Sequence, residues 1–498
     1  MTLATLARAT RVFVLAALPC LTLRAQSIAN NDRVKQATEL LKTWLEAQRA
    51  YEQIPGISAG VVYDQELVWS GGYGFADISR QAPATASTIY SICSISKLFT
   101  SIAVMQQRDA NRLRLDDPVA KHLPWMTIKS SYPESGDITI EGLLTHASGL
   151  PRESDHPYWT GPEFPFPTRE EIRERLSGQT TLYPAETFFQ YSNLGLALAG
   201  EVAATAAGMP YADLVTRNIL NPLGMSSTTP EIPTAERGKR FAMGYSAIMR
   251  EGGRKPVPFF QTRGIAPAAG FASTVEDLAK FASWQFRLLG KGGTEILKAN
   301  TLREMQRVHW VDPDFETTWG LGFTVWRSDN KTFVGHGGSC PGFRTQLLLK
   351  PDEKIATIMM ANALGVNPSV WAQRVYEIMS PALRAAAKPA GAAAVSTTGS
   401  APPPVMTYDA SLDRYLGTYG STFGGELAVV RWEDGLSILS LPTMDPVRSL
   451  MKMRKTGEHT FRRVRRDEAL GEEIVFEMGP DGKPTRFRQH QNYYARIR

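Results

Sequence analysis

The stretch Ser91-Ile-Cys-Ser-Ile-Ser-Lys97 places three hydroxyls, one thiol and one amine within seven residues. A serine attacks a carbonyl only when a neighbouring base takes its proton, so Lys97 decides the reading. The run that follows, "LFTSIAVMQQRDA", sets Leu98, Ile102 and Met105 in helical register, which predicts that Lys97 lies in a helix's first turn. Residues three apart share a helix face, so Ser94 stands beside Lys97, while Ser91 belongs to the incoming chain and Ser96 points elsewhere. Ser94 is the candidate nucleophile, near a helix N-terminus whose unpaired N–H groups favour developing negative charge. The pair alone is weakly specific: S-x-x-K arises by chance about once in a chain of this composition. A serine cap followed by a solvated lysine would look the same.

Working outward, the 498 residues allow a sizeable core and two or more domains. Hydrophobic residues at 43% and charged residues at 21% describe a globular chain. A net charge of +6 over this length is too diffuse to imply nucleic acid. Arg8 and Arg11 precede the apolar run "VFVLAALPCLTL", and "LRAQ" offers cleavage after Ala25. Residues 1–25 therefore read as an export signal, too short for a membrane span, and predict a periplasmic or secreted protein. Pro19 makes Cys20 a poor lipidation site. The remaining cysteines, Cys93 and Cys340, form no disulfide scaffold, and the histidines lack the paired spacing of a zinc site. No metal or cofactor is expected.

Residues 385–406, within "RAAAKPAGAAAVSTTGSAPPPVM", read as a flexible linker. Beyond it, "GELAVVRWEDGLSILSL" and "EEIVFEMGPDGKPTRFRQH" are hairpins around Asp434-Gly435 and Asp481-Gly482, so 407–498 predict a small antiparallel β-barrel. Residues 26–384 differ. An amphipathic helix, "DRVKQATELLKTWLEAQRAY", precedes the hairpin "ISAGVVYD"/"ELVWSGGYGFAD". Far downstream, "WGLGFTVW", "KTFVGHGG", "FRTQLLLKPD" and "KIATIMMAN" form a strand meander closed by the helix "PSVWAQRVYEIM". The expected fold is α+β: an antiparallel sheet built from both ends of the segment, flanked by helices, with a large helical insertion that Ser94 begins.

Two further motifs fit a base and an oxyanion hole. Tyr191-Ser192-Asn193 sits where the chain enters a helical run. A tyrosine near a protonated lysine is pushed towards the phenolate and can accept a serine proton, and Asn193 can orient the lysine and a substrate amide. His336-Gly337-Gly338-Ser339 ends the strand "KTFVGHGG", where two glycines let a substrate approach the backbone. Gly56-Ile-Ser-Ala-Gly60 matches the G-x-S-x-G elbow of α/β-hydrolases, but strand, turn and strand follow it, so Ser58 reads as a sheet residue.

S-x-x-K, Y-S-N and H-G-G in this order resemble the serine β-lactamase and penicillin-binding-protein superfamily. The tyrosine of the second motif is similar to class C β-lactamases, DD-peptidases, D-aminopeptidases and related esterases. "LLTHASGLP" (143–151), "PAAGFASTVEDLAKFA" (267–282) and "HGGSCPGFRTQLLLKPDEKIATIMMAN" extend the likeness over nearly all of 27–384, and the tail from "YLGTYGS" is similar to lipocalin-like domains. The resemblance implies Ser94 as nucleophile, Lys97 as its activator and Tyr191 as the base that later protonates the leaving group. It implies that Asn193, His336, Gly337, Gly338 and Ser339 hold substrate, and that the amides of Ser94 and Ser339 form the oxyanion hole. His336 replaces the lysine usual in β-lactamases and, being largely neutral at pH 7, favours the peptidases and esterases. The expected function is an exported serine hydrolase cleaving a small amide, peptide or ester through a Ser94 acyl-enzyme. A class C-like β-lactamase or DD-peptidase, and a sensor that acylates and stalls, are the alternatives. Aromatic-rich segments 152–167 and 225–265 and the loop "HWVDPDFETTW" are expected to shape specificity.

If Ser94 and Ser339 aim N–H groups at one oxygen, Cys93 and Cys340 flank that site. Two small buried apolar side chains are the preferred reading; a disulfide is the alternative.

Overall fold

The computed structural model describes residues 27–387, 408–420, 425–465, 467–489 and 492–498. The expected signal, 1–25, lies outside these residues, as does most of the expected linker; residues 385 and 386 fall instead in the helix Pro368–Ala386. Among the described residues no helix is long and apolar enough to cross a membrane.

The first long helix, Asp32–Tyr51, starts where the Asn31 side chain accepts from the Arg33 amide at 3.0 Å, satisfying a donor the helix cannot pair itself. Val34, Ala37, Leu40, Leu41, Trp44, Leu45 and Gln48 recur at helical spacing and form its buried face. Each large apolar side chain so buried contributes roughly 1.5–3 kcal/mol.

The strands in chain order are β1 (Gly56–Tyr63), β2 (Glu66–Asp77), β3 (Ala82–Pro83), β4 (Tyr90–Ser91), β5 (Ala272–Ser273), β6 (Trp310–Val311), β7 (Thr318–Trp319), β8 (Thr324–Ser328), β9 (Lys331–Cys340), β10 (Phe343–Lys350) and β11 (Ile355–Ala361). Nine of them form one sheet in the order β3-β2-β1-β11-β10-β9-β8-β7-β6, and the pairings are antiparallel. The expected assembly from both ends is the observed one: β1 of the first hairpin pairs β11 of the meander, Gly60 opposite Ile358. Helices cover both faces of this centre. Asp32–Tyr51 and Pro368–Ala386 share one core with the β1 and β11 residues Ile57, Ala59, Met359 and Ala361. On the other face the helix Val275–Lys291 comes so close that a Cβ on Gly60 would meet Val275 at 2.4 Å.

Two local features place the site. β4 pairs β5, Ser91 opposite Ala272, and the Ile92 amide donates to the Phe271 carbonyl at 2.9 Å, fixing the chain just before Ser94. β9 pairs β8 only as far as Gly335, so residues 336–340 leave one strand edge open.

The tail forms a closed eight-stranded barrel, its first strand pairing its last at Tyr419 and Arg496. Its interior is packed with Tyr415, Tyr419, Phe461, Phe476 and Phe487. The barrel is not a detached bead. Ala428, Val430, Leu439 and Leu441 join the core around Trp44, and the Trp44 indole N–H donates to the Thr443 carbonyl at 2.8 Å.

Candidate active site

Ser94 sits in a short 3-10 turn, Cys93–Ile95, that runs into the helix Ser96–Asp109. The Ser96 hydroxyl accepts from the Phe271 amide at 2.9 Å and turns back to the Cys93 carbonyl, so the third serine of the opening stretch is a structural pin. Ser58, the elbow decoy, is buried in β1 and donates to the Thr85 carbonyl at 2.7 Å.

Lys97 is fully buried. Its Nζ lies 2.7 Å from Asn193 Oδ1, 2.9 Å from the Ala268 carbonyl and 3.3 Å from Ser94 Oγ. Burial drives its pKa well below the ordinary lysine value; Glu153 opposes that shift and Arg152 adds to it. Two acceptors that are never donors fix two N–H groups of the amine. The third position faces Ser94 Oγ.

Tyr191 is the surprise of the site. The sequence suggests a phenolate, but burial raises its pKa above the ordinary phenol value, against lowering by a hydrogen bond with Ser94 and by Arg152. Lys97 Nζ and Arg152 Cζ each lie 4.8 Å from the Tyr191 ring centroid. Those contacts favour cations on the ring face, and the lowering by Arg152 is outweighed by burial. Burial thus acts on the pair in opposite senses, lowering the pKa of Lys97 and raising that of Tyr191.

Asn193 starts the helix Asn193–Ala207, whose Ser192 cap accepts from the Gly195 amide at 2.8 Å. Its amide splits two duties: Oδ1 receives Lys97, while Nδ2 donates to Glu153 at 2.9 and 3.0 Å. The Tyr158 hydroxyl also reaches Glu153. A carboxylate thus orients the lysine through an amide without touching it.

His146 ends the helix Ile140–Thr145 in a left-handed conformation at φ 62°. Its ring packs 4.3 Å from that of Tyr191, and its Nδ1 accepts from the Ser192 amide at 3.1 Å. Burial, reinforced by Lys97, keeps its pKa well below the usual histidine value. Trp319 stands edge-on to both His146 and His336, with centroids 5.1 and 5.5 Å apart.

His336 Nδ1 bonds the Gly337 carbonyl at 2.6 Å; as that oxygen only accepts, the ring proton sits on Nδ1. Burial, then Lys97, lowers its pKa to about 3, so it is neutral at pH 7. A cleft of about 290 Å³ is lined by Ser94, Tyr191 and His336–Ser339, together with Arg152, Arg344 and Ser369. Every residue singled out in the sequence is here: Lys97 and Asn193 lie beneath Ser94, and the others line the cleft. Among the described lining residues none comes from 225–265. That segment instead lines a separate apolar cleft of about 450 Å³ with Phe241, Phe259 and Phe260. No group of three or more His, Cys, Asp or Glu side chains among the described residues is placed to hold a metal ion.

Cys93 and Cys340 are disulfide-bonded, with Cα atoms 5.7 Å apart. The preferred reading of two free apolar thiols is corrected: the nucleophile turn and the β9 tip approach closely enough, with converging side chains, to bond.

Glu153, His146, Arg152, Arg344 and the Ala268 carbonyl carry no role in the sequence reading. His146 and Ala268 lie inside segments that share the family likeness, so their signal was present without an assigned task. Nothing in the spacing marks Glu153.

The structure thus sets a serine beside a buried lysine at the start of a helix, under the open edge of an antiparallel sheet. The chain belongs to the beta-lactamase family, whose model matches residues 41–377. It is 29% identical over 333 residues to Beta-lactamase-like protein 2 of Dictyostelium discoideum, covering 66% of this chain and 60% of that protein. It is 26% identical over 471 residues to Unguisins hydrolase ungD' of Aspergillus campestris, covering 87% of this chain and 85% of that one. Among solved structures, the octameric penicillin-binding protein homologue from Pyrococcus abyssi matches in fold with a TM-score of 0.60 at 24% identity, over 92% of this chain and 99% of that one.

Proposed function

We propose that this protein is an exported serine hydrolase that cleaves a small amide, peptide or ester through a Ser94 acyl-enzyme. The observation that carries the reading is the Lys97 amine, buried, pointed at Ser94 Oγ and held by two acceptors that leave its third position for the serine proton. Lys97 takes that proton as Oγ bonds the substrate carbonyl carbon, and the amides of Ser94 and Ser339 receive the oxyanion, each such donor supporting the transition state by about 3 kcal/mol. Tyr191, a phenol, passes its proton to the leaving nitrogen or oxygen and is reprotonated from Lys97. Water then repeats the sequence on the acyl-enzyme, with Lys97 again the acceptor.

Neutral His336 supplies no charge for a substrate carboxylate. Arg344 lines the same cleft with an Nε that is buried and has no hydrogen-bond partner among the described residues. Together with Arg152 it favours a substrate carrying an anionic group. The likeness to Unguisins hydrolase ungD', over 87% of this chain and 85% of that protein, supports turnover over a stalled sensor. The apolar run before Ala25 supports export, with residues 1–25 as its signal and the Ala/Pro-rich segment to 406 as a tether.

A screen of the purified protein on p-nitrophenyl esters, D-amino-acid amides, carboxylate-bearing peptides and a chromogenic cephalosporin tests the reading. Turnover of an ester or amide that disappears in Ser94→Ala is expected. Stoichiometric acylation without turnover would make it a sensor; hydrolysis of the cephalosporin alone would make it a β-lactamase.

A further inference from the structure

The two donors assigned to the oxyanion hole come from elements held by different hydrogen-bond systems. Ser94 rides on a turn fixed to the helical region through Ile92 with Phe271 and Ser96 with Phe271. Ser339 rides on the last residues of β9, beyond the point where β8 supports that strand. Between turn and strand the hydroxyl of Thr345 donates to the Ile92 carbonyl at 3.1 Å, and Gly338 packs against the same carbonyl. Oxyanion stabilisation tolerates little error in the spacing of its donors.

The residue next to each donor is a cysteine, and the two are bonded to each other across 247 residues of sequence. Cys93 is fully buried and Cys340 is 5% exposed. Cys93 also holds a left-handed backbone, φ 49°, immediately before the nucleophile. A side-chain-bearing residue keeps that conformation only where its surroundings over-determine it.

We propose that the Cys93–Cys340 disulfide is the positioning element of the oxyanion hole, so that hydrolysis depends on its oxidation state. This rests on the reading of Ser94 and Ser339 as oxyanion donors. Because the bond spans the donors' immediate neighbours and not the substrate cleft itself, breaking it changes transition-state stabilisation more than ground-state binding. Reduction by a dithiol passes two electrons and two protons to the bridge, giving two cysteine thiols and the oxidised cyclic disulfide of the reagent. The β9 tip is then held near the turn by the Ser91 hydroxyl, 3.3 Å from Cys340 Sγ, by the Thr345 contact from β10 and by packing.

The test compares the oxidised full-length protein with the dithiothreitol-reduced protein and with the double variant Cys93→Ala/Cys340→Ala, which needs no reagent to reach a buried bond. Mass spectrometry after alkylation establishes the thiol count, and circular dichroism the fold. Expected is a fall in kcat of at least about tenfold with KM within about twofold, since losing one oxyanion donor outright costs about 10²–10³. Affinity for an arylboronic acid, which forms a tetrahedral adduct on Ser94, falls by the same factor, and reoxidation restores both. Two thiols with unchanged kcat overturn the proposal, provided turnover still vanishes in Ser94→Ala. Loss of activity together with the folded circular dichroism signal also overturns it, making the bridge a staple of the whole fold. Turnover that survives Ser94→Ala refutes the underlying site reading instead.

Discussion

Gly338→Ala isolates the contact between the strand edge and the nucleophile turn. An added Cβ would lie 2.2 Å from Thr345 Oγ1 and 2.3 Å from the Ile92 carbonyl oxygen. Thr345 can rotate, but Ile92 is backbone, pinned by its own N–H to Phe271. Restoring ordinary contact requires the strand and the turn to part by roughly 1 Å, an overpacking that costs about 1–3 kcal/mol. Parting them moves the Ser339 amide away from Ser94, and a misplacement of about 1 Å can cost around 10²-fold in rate. The neighbouring Gly337→Ala is the control: its Cβ would meet only Gln346 Oε1, at 2.8 Å, the free end of a side chain that can swing. Initial rates on an activated ester and thermal melts of both variants are the assay. Gly338→Ala should lose about a hundredfold in kcat and melt a few degrees lower, while Gly337→Ala melts with the parent and changes KM more than kcat. Combining Gly338→Ala with Thr345→Ala should not restore the rate, since the clash with Ile92 remains. Equal damage to kcat in the two glycine variants, or a normal rate in Gly338→Ala, would refute the placement of the oxyanion hole between the Ser94 and Ser339 amides.

Arg344→Ala should raise KM for a carboxylate-bearing substrate at least about fivefold and leave its neutral amide unchanged; parallel KM measurements on the two substrates check it. Tyr191→Phe should lose about a hundredfold in kcat, and a near-normal rate would make the ring a packing residue. Folded His336 titrates at about 3 and the unfolded residue near 6.5, so below about pH 6.5 the unfolded chain binds a proton that the native state refuses. His336 therefore supports stability that is present at neutral pH and lost as pH falls towards about 3, by up to about 1.4 kcal/mol per unit. Urea unfolding at several pH values should show a shallower acid slope in His336→Asn, and identical slopes would contradict the burial argument. Truncation after residue 387 should leave Ser94 labelling by an acylating probe intact but lower the melting temperature, because it strips cover from Trp44. A truncated protein as stable as the full chain would mean the shared core contributes nothing.

The legible parts of this chain were those governed by short-range rules. The helix Asp32–Tyr51 matches its sequence limits closely because one face is buried and polar residues mark its ends, and the hairpin ending at Asp77 because a buried apolar strand and a polar turn mark it out. Ser94, Lys97, Tyr191, Asn193 and the His336–Ser339 run, which the structure brings together, were legible because each motif is contiguous and sits at a helix start or strand end. Glu153 was invisible because its role depends on a contact with Asn193 across 40 residues, which no local pattern encodes. The disulfide was undecided for the same reason: sequence places each cysteine next to a donor but says nothing of where its Cβ points. The 225–265 segment misled because aromatic residues suit a packed cleft as well as a substrate mouth, and here they line a separate one.

The inversion at Tyr191 also has a physical origin that composition hides. A tyrosine becomes a phenolate beside a lysine only if the lysine keeps its charge. Here burial acts on both groups at once and favours the neutral form of each. The nearest carboxylate that could hold Lys97 charged, Glu153, is separated from it by the Asn193 amide and is shared with Arg152 and Tyr158. An amine–phenol pair carries no separated charge into the dry site, whereas an ammonium–phenolate pair would, and their attraction must overcome two desolvation penalties. Under the proposed mechanism charge is created where it is used: as Ser94 attacks, Lys97 would become an ammonium while the oxyanion forms, and Asn193 Oδ1 and the Ala268 carbonyl already face it. On that proposal the acceptors around Lys97 are arranged for the state reached during the reaction, which is what preorganised stabilisation of a transition state requires.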